Sequence, residues 1–171
     1  MNVGIYARVS TDEQNIHQQI DVLKKFVKSK GWHYRTYSDE AMSGSISDRP
    51  EWNKLLKYCM NDGCKKIVVV RSDRITRDLK YSLEFLDFLN KNKVELLSLH
   101  DGINIKPLEQ AESLSELFTL VDNIFRFKLY CLLSERELIV LDQRRKIGIE
   151  RAKEEGKYKG GKKGRTWSKK N

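Results

Sequence analysis

An arginine and a serine lie two residues apart near the start of the chain, in the segment Tyr6-Ala7-Arg8-Val9-Ser10. The segment follows a short apolar run that predicts a strand, and open α/β sheets place their sites at the carboxyl ends of strands. A serine hydroxyl beside a fixed cation favours both the alkoxide and an incoming phosphate, so Ser10 is a candidate nucleophile toward a phosphate ester. The alternative is structural: Ser10 caps the next helix and Arg8 is a surface charge. For the tripeptide alone, the structural interpretation is favoured.

Two further arginine-bearing segments follow later strands. Arg74 and Arg77 are three residues apart and share one face if a helix begins there, and Asp73 is placed to hold one guanidinium. Two oriented guanidinium groups match the oxygens of one phosphate group. The loop after the second strand carries Arg49 in Ser47–Pro50. Each segment alone could be a solvated run of compensating charges, but three arginine-bearing loops and a serine at one sheet edge favour a phosphate site.

The scaffold that must position these residues is predicted by alternating apolar and amphipathic segments. Strands are predicted at 3–7, 32–37, 66–71 and 94–99, and the aliphatic run of the third is typical of a strand covered on both faces. The helix before the last strand carries a leucine stripe: Leu79, Leu83, Leu86 and Leu89. The alternation predicts an α/β fold, a three-layer, mostly parallel sheet of about four to five strands flanked by helices and followed by a long projecting C-terminal helix.

The chain changes character in its second half. Residues 108–147 contain neither glycine nor proline, and apolar residues recur there at helical spacing. A helix of this length exceeds what one small domain buries. We therefore expect it to project and to pack against a second copy through residues such as Leu120 and Ile124.

The excess positive charge is concentrated at the C-terminus. The chain has 171 residues and a formal net charge of +9, and residues 144–171 hold 12 Lys and Arg against 3 Asp and Glu, so this segment alone carries the excess. A neutral body with a basic tail predicts a polyanionic partner such as nucleic acid; the alternative is a solvated solubility tail. The candidate DNA contacts are Arg144, Arg145, Lys146, Arg151, Lys153, Lys157, Lys159, Lys162, Lys163 and Arg165.

Other classes of protein are disfavoured by features that the sequence lacks. No apolar run approaches the ~18 residues of a membrane span, and residues 1–4 do not begin a signal peptide, so we expect a cytoplasmic protein without membrane association. The three cysteines show no CxxC spacing and are predicted to be reduced thiols. The scattered histidines predict no metal site. Gly156–Lys162 approximates a P-loop, but Lys163 occupies the position that needs Ser or Thr.

Taken together, these segments resemble the active-site signature of the serine recombinases, the resolvase and invertase family. Tyr-Ala-Arg-Val-Ser-Thr-x-x-Gln at 6–14 matches the first block, and Gln19 falls where the family carries a second glutamine. The later blocks follow in order: Asp39 with Ser43-Gly44, Asp48-Arg49-Pro50, and Asp73-Arg74-x-x-Arg77. The resemblance covers residues 1–105 well and 135–161 more loosely.

The resemblance implies a site-specific DNA recombinase that cuts and rejoins double-stranded DNA through a covalent 5′-phosphoserine intermediate. Ser10 would attack a phosphodiester and free a 3′-hydroxyl, with no need for ATP, a metal or another cofactor. The residues to which the resemblance assigns catalytic roles are Ser10, Arg8, Arg49, Arg74, Arg77, Asp73, Gln14 and Gln19. It also implies a homodimer, a tetramer in the active synaptic complex, and a bacterial or phage mobile element as the setting.

On this basis we expect a catalytic core at 1–107, a long dimerisation and DNA-spanning helix at 108–156 and a flexible basic tail at 157–171. Small members of the family continue after the tail into a helix-turn-helix domain, and we expect none in this chain. Glu135 and Arg136 correspond only loosely to the family's dimer and active-site positions, because the preceding stretch is longer than the family pattern.

Two other classes compete with a recombinase. A non-catalytic DNA-binding or regulatory protein that keeps the fold is favoured by the missing recognition domain and opposed by the intact Ser10 and four arginines. A nucleotide-binding α/β enzyme is disfavoured because no glycine-rich loop follows the first strand.

Overall fold

A computed structural model describes residues 1–9, 13–40, 49–61 and 63–157 of the chain. It divides the chain into two compact units, residues 1–135 and 136–171. The helices and strands, in chain order, are β1 (Asn2–Val9), α1 (Glu13–Ser29), β2 (His33–Glu40), α2 (Pro50–Met60), β3 (Lys66–Val69), α3 (Leu79–Lys91), β4 (Glu95–Ser98), β5 (Ile103–Ile105) and α4 (Leu114–Glu154). Short 3₁₀ turns lie at Ser72–Arg74, called the Ser72 turn below, and at Leu108–Gln110.

Among the described residues, five strands form one sheet in the order β2-β1-β3-β4-β5. The first four strands are mutually parallel, and β5 pairs with β4 in the antiparallel sense. In this register Tyr6 of β1 lies beside Tyr37 of β2 and Val69 of β3. The carboxyl ends of β1, β2 and β3 therefore meet at one edge of the sheet, and the predicted fold class is confirmed.

Both faces of the sheet are covered, as the aliphatic run in β3 predicts. Ile67 and Val69 belong to the core on one face, with Trp52 of α2 and Phe85 of α3. Val68 points to the opposite core, which α1 covers. This alternation makes the three layers of the fold, because a strand turns successive side chains to opposite faces.

The buried face of α3 differs from the predicted leucine stripe. Ser82, Phe85 and Leu89 are buried, whereas Leu83 is 44% exposed. The reason is aromatic packing: the ring of Phe85 lies 5.3 Å from that of Trp52 and 6.3 Å from that of Phe127, measured between centroids. The larger apolar surface of the phenylalanine sets the rotation of the helix.

The expectation that Leu120 and Ile124 face a second copy is wrong. Leu120 is only 5% exposed and belongs to the core, and Ile124 packs against the same core. The exposed face of α4 within residues 1–135 instead carries Phe118, Val121 and Phe125.

The three cysteines are buried, and none of them forms a disulfide in the part of the chain that the structure describes. Of the helices that the structure describes, none has the length and apolar content needed to cross a bilayer.

Candidate active site at the carboxyl edge of the sheet

The end of β1 and the Ser72 turn hold each other through backbone and side chain. Arg8, near the end of β1, donates from Nη2 to the carbonyl oxygen of Asp73 at 3.2 Å. Arg74 donates in return from Nη1 to the carbonyl oxygen of Arg8 at 3.0 Å. Gln19 of α1 also donates from Nε2 to the Arg8 carbonyl oxygen, at 3.4 Å. These reciprocal bonds connect two predicted segments that lie 65 residues apart in sequence.

Asp73 is the anion among these cations. Its Oδ2 lies 3.1 Å from Nη2 of Arg74 and 3.7 Å from Nη2 of Arg77, and its Oδ1 lies 3.8 Å from Nε of Arg71. The side chain of Asp73 is 13% exposed. The carboxylate therefore fixes the planar fork of Arg74, which is the arrangement that the spacing of these residues predicts.

Arg49 reaches the site from the start of α2. It is only 7% exposed, and its Nη1 donates to the carbonyl oxygen of Ile75, directly after the Ser72 turn. The first turn of α2 is held by Asp39, whose carboxylate accepts from the amides of Glu51 at 3.0 Å and Trp52 at 2.9 Å. A carboxylate at the N-terminus of a helix also interacts favourably with the helix dipole.

The second strand is predicted to end at residue 37, but β2 continues through Glu40, and the Asp39 side chain is buried. Besides its bonds to α2, Asp39 accepts a hydrogen bond from the hydroxyl of Tyr6 at 3.0 Å. The residue thus links β1, β2 and α2. Its capping role was missed because the helix it caps begins beyond the intervening loop, so no local capping spacing marks it.

Arg8, Arg49, Arg74 and Arg77, called the arginine cluster below, concentrate positive charge at this edge. Burial, then the charge of Arg49 and to a lesser degree those of Arg77 and Arg74, lowers the pKa of Arg8 to about 10. The buried Nε–H groups of Arg8 and Arg77 have no hydrogen-bond partner among the described residues. The site therefore offers free hydrogen-bond donors and positive charge. A bound anion would accept from these donors and neutralise part of the charge.

Two of the predicted catalytic groups are not described in atomic detail. Ser10 lies outside the described residues, between Val9 at the end of β1 and Glu13 at the start of α1. Gln14 belongs to the first turn of α1, but its side chain is not described. Chain connectivity keeps Ser10 two residues from Arg8, the residue to which the Ser72 turn is bonded.

The predicted DNA contacts lie apart from this site in the sequence. Arg144, Arg145, Lys146, Arg151 and Lys153 are exposed residues of α4, and Lys157 follows the helix. Lys146 and Arg145 pair with Asp142 of the same helix, and Lys157 pairs with Glu155 at 2.8 Å. Lys159, Lys162, Lys163 and Arg165 lie outside the described residues.

A mostly parallel α/β sheet gathers four arginines at its carboxyl edge, and three of them donate to backbone carbonyl oxygens of neighbouring segments. This arrangement is typical of α/β proteins with an anion site at the carboxyl edge of the sheet. The sequence model described as Resolvase, N terminal domain matches residues 3–158. The chain belongs to this resolvase family of serine recombinases, as the motifs predict.

Individual relatives agree with the family match. The chain is 28% identical to the Tn917 resolvase of Enterococcus faecalis, over 91% of this chain and 73% of that protein. It is 30% identical to the Tn552 resolvase of Staphylococcus aureus, over 94% of this chain and 71% of the relative.

Solved structures give the same picture of the fold. The N-terminal catalytic domain of TP901-1 integrase shares 30% identity with a TM-score of 0.56, covering 75% of this chain and 98% of that one. A resolvase family site-specific recombinase from Streptococcus pneumoniae has the same fold at 24% identity, with a TM-score of 0.55, over 90% of this chain and 99% of that chain.

Proposed function

We propose that this protein is a site-specific recombinase that cuts and rejoins double-stranded DNA through a phosphoserine formed on Ser10. The observation that carries the proposal is the convergence of the arginine cluster on the end of β1, the strand that leads directly to Ser10. Membership of the resolvase family supports the same activity. The setting that fits it is the bacterial cytoplasm, where such an enzyme meets its DNA.

The proposed chemistry exchanges one phosphoester bond for another. The Ser10 oxygen bonds to phosphorus, the bond from phosphorus to the 3′ oxygen breaks, and the serine proton is lost while the leaving 3′ oxygen gains one. The number of phosphoester bonds is unchanged, so the step needs no external energy source. Attack of a 3′-hydroxyl from another strand on the phosphoserine reverses the step and completes strand exchange.

The arginine cluster would stabilise the negative charge that builds on the non-bridging oxygens during the transfer. Arg74 supplies a planar fork that Asp73 holds at 3.1 Å, so little reorganisation is needed as the charge develops. Arg49 supplies a nearly fully buried cation from α2. Fixed donors in a partly dehydrated site are worth more than the same donors in water.

The remaining segments would bring DNA and a second subunit to this core. The core at 1–107 holds the chemistry, the helical region at 108–156 joins subunits and follows the DNA, and the basic tail at 157–171 contacts its backbone. The exposed side chains of α4 support a dimer: Leu114 and Phe118 are 74% and 75% exposed, and Val121 and Phe125 continue their face at helical spacing. Pairs of such dimers would form the synaptic tetramer.

The decisive experiment is detection of a covalent protein–DNA adduct on nicked suicide DNA. The wild type is expected to form the adduct, and Ser10→Ala to lose it while DNA affinity persists, because one hydroxyl adds little to phosphate binding. Ser29→Ala, which removes an exposed serine hydroxyl at the end of α1, is the matched control and should cleave normally. Substantial cleavage by Ser10→Ala contradicts the mechanism, and a wild type that binds DNA without any adduct identifies the non-catalytic alternative.

A sedimentation experiment tests the dimer. Phe118→Asp with Phe125→Asp should yield a monomer where the wild type is dimeric, since two buried rings per subunit would be lost. Thr119→Asp, at an exposed position on another face of α4, is the control and should remain dimeric. A wild type that is monomeric at tens of micromolar, roughly the range in which a standard-size interface is populated, would contradict the proposal.

A further inference from the structure

The Ser72 turn begins without a cap from its own neighbours. Arg71 occupies the capping position in an extended conformation, and its side chain makes no capping hydrogen bond. The first amide of a helical turn has no partner within that turn, and burying it unpaired is costly. Ser72 is only 1% exposed, so its amide needs a partner from elsewhere in the fold.

Asp101 supplies that partner from the turn between β4 and β5. Its Oδ2 accepts from the amide of Ser72 at 2.6 Å and from the hydroxyl of Ser98 at 2.8 Å. Burial raises the pKa of the Asp101 carboxyl, but the hydrogen bonds from Ser72 and Ser98 outweigh it and hold that pKa below its usual value. The carboxylate therefore caps the Ser72 turn from 29 residues away in sequence.

The turn that carries Asp101 is in addition hydrogen-bonded to α4. Arg126 donates from Nη2 to the carbonyl oxygen of Asp101 at 2.6 Å. Gly102, the next residue, has φ of +62°, so the backbone here adopts the left-handed conformation that glycine accepts without strain. A chain of bonds thus runs from α4 through Asp101 to the turn that carries Asp73 and Arg74.

We propose that Asp101 is a positioning residue for the arginine cluster, and that Arg126 links this position to α4. Asp101 makes no contact with the reacting groups; it sets where Asp73 and Arg74 lie by fixing the first residue of their turn. Since α4 also carries the exposed apolar face, subunit association on that face would reach Arg74 through Arg126. The inference rests on the proposed recombinase function for its catalytic readout only.

The test compares Asp101→Ala with Asp101→Asn. Asparagine caps helices about as well as aspartate because its amide oxygen still accepts from the backbone. Asp101→Ala should lower the single-turnover cleavage rate on suicide DNA at least tenfold, a loss of the order expected when a catalytic group is misplaced by about 1 Å, with DNA affinity within about twofold. Asp101→Asn should restore most of the rate, and Asp87→Asn, at an exposed carboxylate of α3, is the matched control.

Hydrogen exchange of the Ser72 amide, measured by NMR without DNA, provides a second readout that does not depend on catalysis. Protection should be lost in Asp101→Ala and kept in Asp101→Asn. Unchanged protection or unchanged cleavage in a folded Asp101→Ala would overturn the proposal. If that variant does not fold, loss of the Ser72 amide protection in Asp101→Asn overturns the cap, and its retention together with near wild-type cleavage supports it.

The link to α4 is tested with Arg126→Met, which keeps the aliphatic stem and removes the donor. It should slow cleavage by a few-fold and speed amide exchange around Asp101, while Arg126→Lys retains a donor and recovers part of both. Wild-type cleavage and exchange in Arg126→Met would overturn the link. A wild type that never cleaves DNA but shows the expected exchange pattern would instead contradict the proposed function and leave the cap supported.

Discussion

The chain carries two groups of cations in opposite surroundings. In the arginine cluster, Arg49 is 7% exposed, and Arg74 bonds to a backbone carbonyl and a carboxylate. In the basic segment of residues 144–157, the Arg145 and Lys146 side chains are 73% and 70% exposed and pair with Asp142 of their own helix. The fold therefore fixes the arginine cluster in place, whereas the side chains of the basic segment face solvent and pair locally.

This difference in surroundings suits one group of cations to catalysis and the other to DNA affinity. An exposed ion pair contributes only about 0–1 kcal/mol, so Lys146 can exchange Asp142 for a phosphate at little cost. A buried guanidinium loses hydration, and the loss is tolerable only where fixed partners or a bound anion replace the water. The arginine cluster is thus suited to a developing negative charge at one point, and the basic segment to an extended polyanion.

The largest effect is expected when the partly buried guanidinium of Arg74 loses its planar fork but not its charge. Arg74→Lys should reduce cleavage by about 10²- to 10³-fold, because one oriented donor to a transition state contributes on the order of 3 kcal/mol. Single-turnover cleavage of suicide DNA measures the loss. Arg35→Lys, which changes an exposed arginine of β2, is the control and should cleave normally. Near wild-type rates for Arg74→Lys and Arg77→Lys would show that charge alone suffices.

The fold could be predicted from sequence because its signals are local. The aliphatic run Ile67-Val68-Val69 predicts a strand covered on both faces, and the structure buries all three residues. The rotation of α3 and of α4 could not be obtained this way, since leucines occupy more than one face of each helix. The choice of Phe85 over Leu83 depends on Trp52 and Phe127, which come from other elements.

In the candidate site, too, the local signals could be predicted and the contacts between distant segments could not. The rule that parallel strands end at one edge brings Arg8 and Arg74 together from sequence alone, and the structure places them within hydrogen-bond distance. Asp73 is predicted to hold a guanidinium and does so, but two further carboxylates that support the site were not predicted in that role. Asp39 caps a helix beyond a loop, and Asp101 caps a turn 29 residues earlier in the chain. Pairings of this kind depend on how distant segments pack together, and the spacing of neighbouring residues in the sequence does not predict them.

A smaller effect is expected from the cations of residues 157–171, and it should appear in affinity rather than in chemistry. Deleting residues 157–171 removes seven Lys and Arg. Each phosphate contact contributes about −0.9 to the slope of log K against log salt, so the deletion should flatten that slope by several units. Cleavage should survive at saturating DNA, because the arginine cluster is untouched. Titrations of one duplex at several salt concentrations measure the slope.

The control for the deletion neutralises cations far from residues 157–171 in the sequence. Lys25→Gln with Lys28→Gln, at exposed positions of α1, should change the slope little. A slope that is unchanged by the deletion would show that the tail is only a solubilising extension. The DNA-facing surface would then have to lie on the core, around the arginine cluster.

The smallest effect concerns the stability of the arginine cluster without DNA. The pKa of Arg8 falls to about 10 because burial and the charges of Arg49, Arg77 and Arg74 disfavour its charged form. The cost is therefore fully present at neutral pH and is relieved only as the pH rises through 10 toward the unfolded value. Arg8→Met removes this cost, although it also removes the hydrogen bond to the Asp73 carbonyl oxygen.

The two contributions oppose each other, and the charge cost exceeds the value of one ordinary hydrogen bond. A net stabilisation of about 1 kcal/mol is expected at pH 7, which corresponds to a rise in Tm of about 3 °C for a chain of this size. Calorimetry of the wild type, Arg8→Met and Arg71→Met measures it. Arg71 is 54% exposed, so its substitution should give no gain. A Tm that falls in Arg8→Met would mean that the hydrogen bond outweighs the repulsion. The cluster would then be stable without an anion, and its positive charge would not be held in readiness for a phosphate.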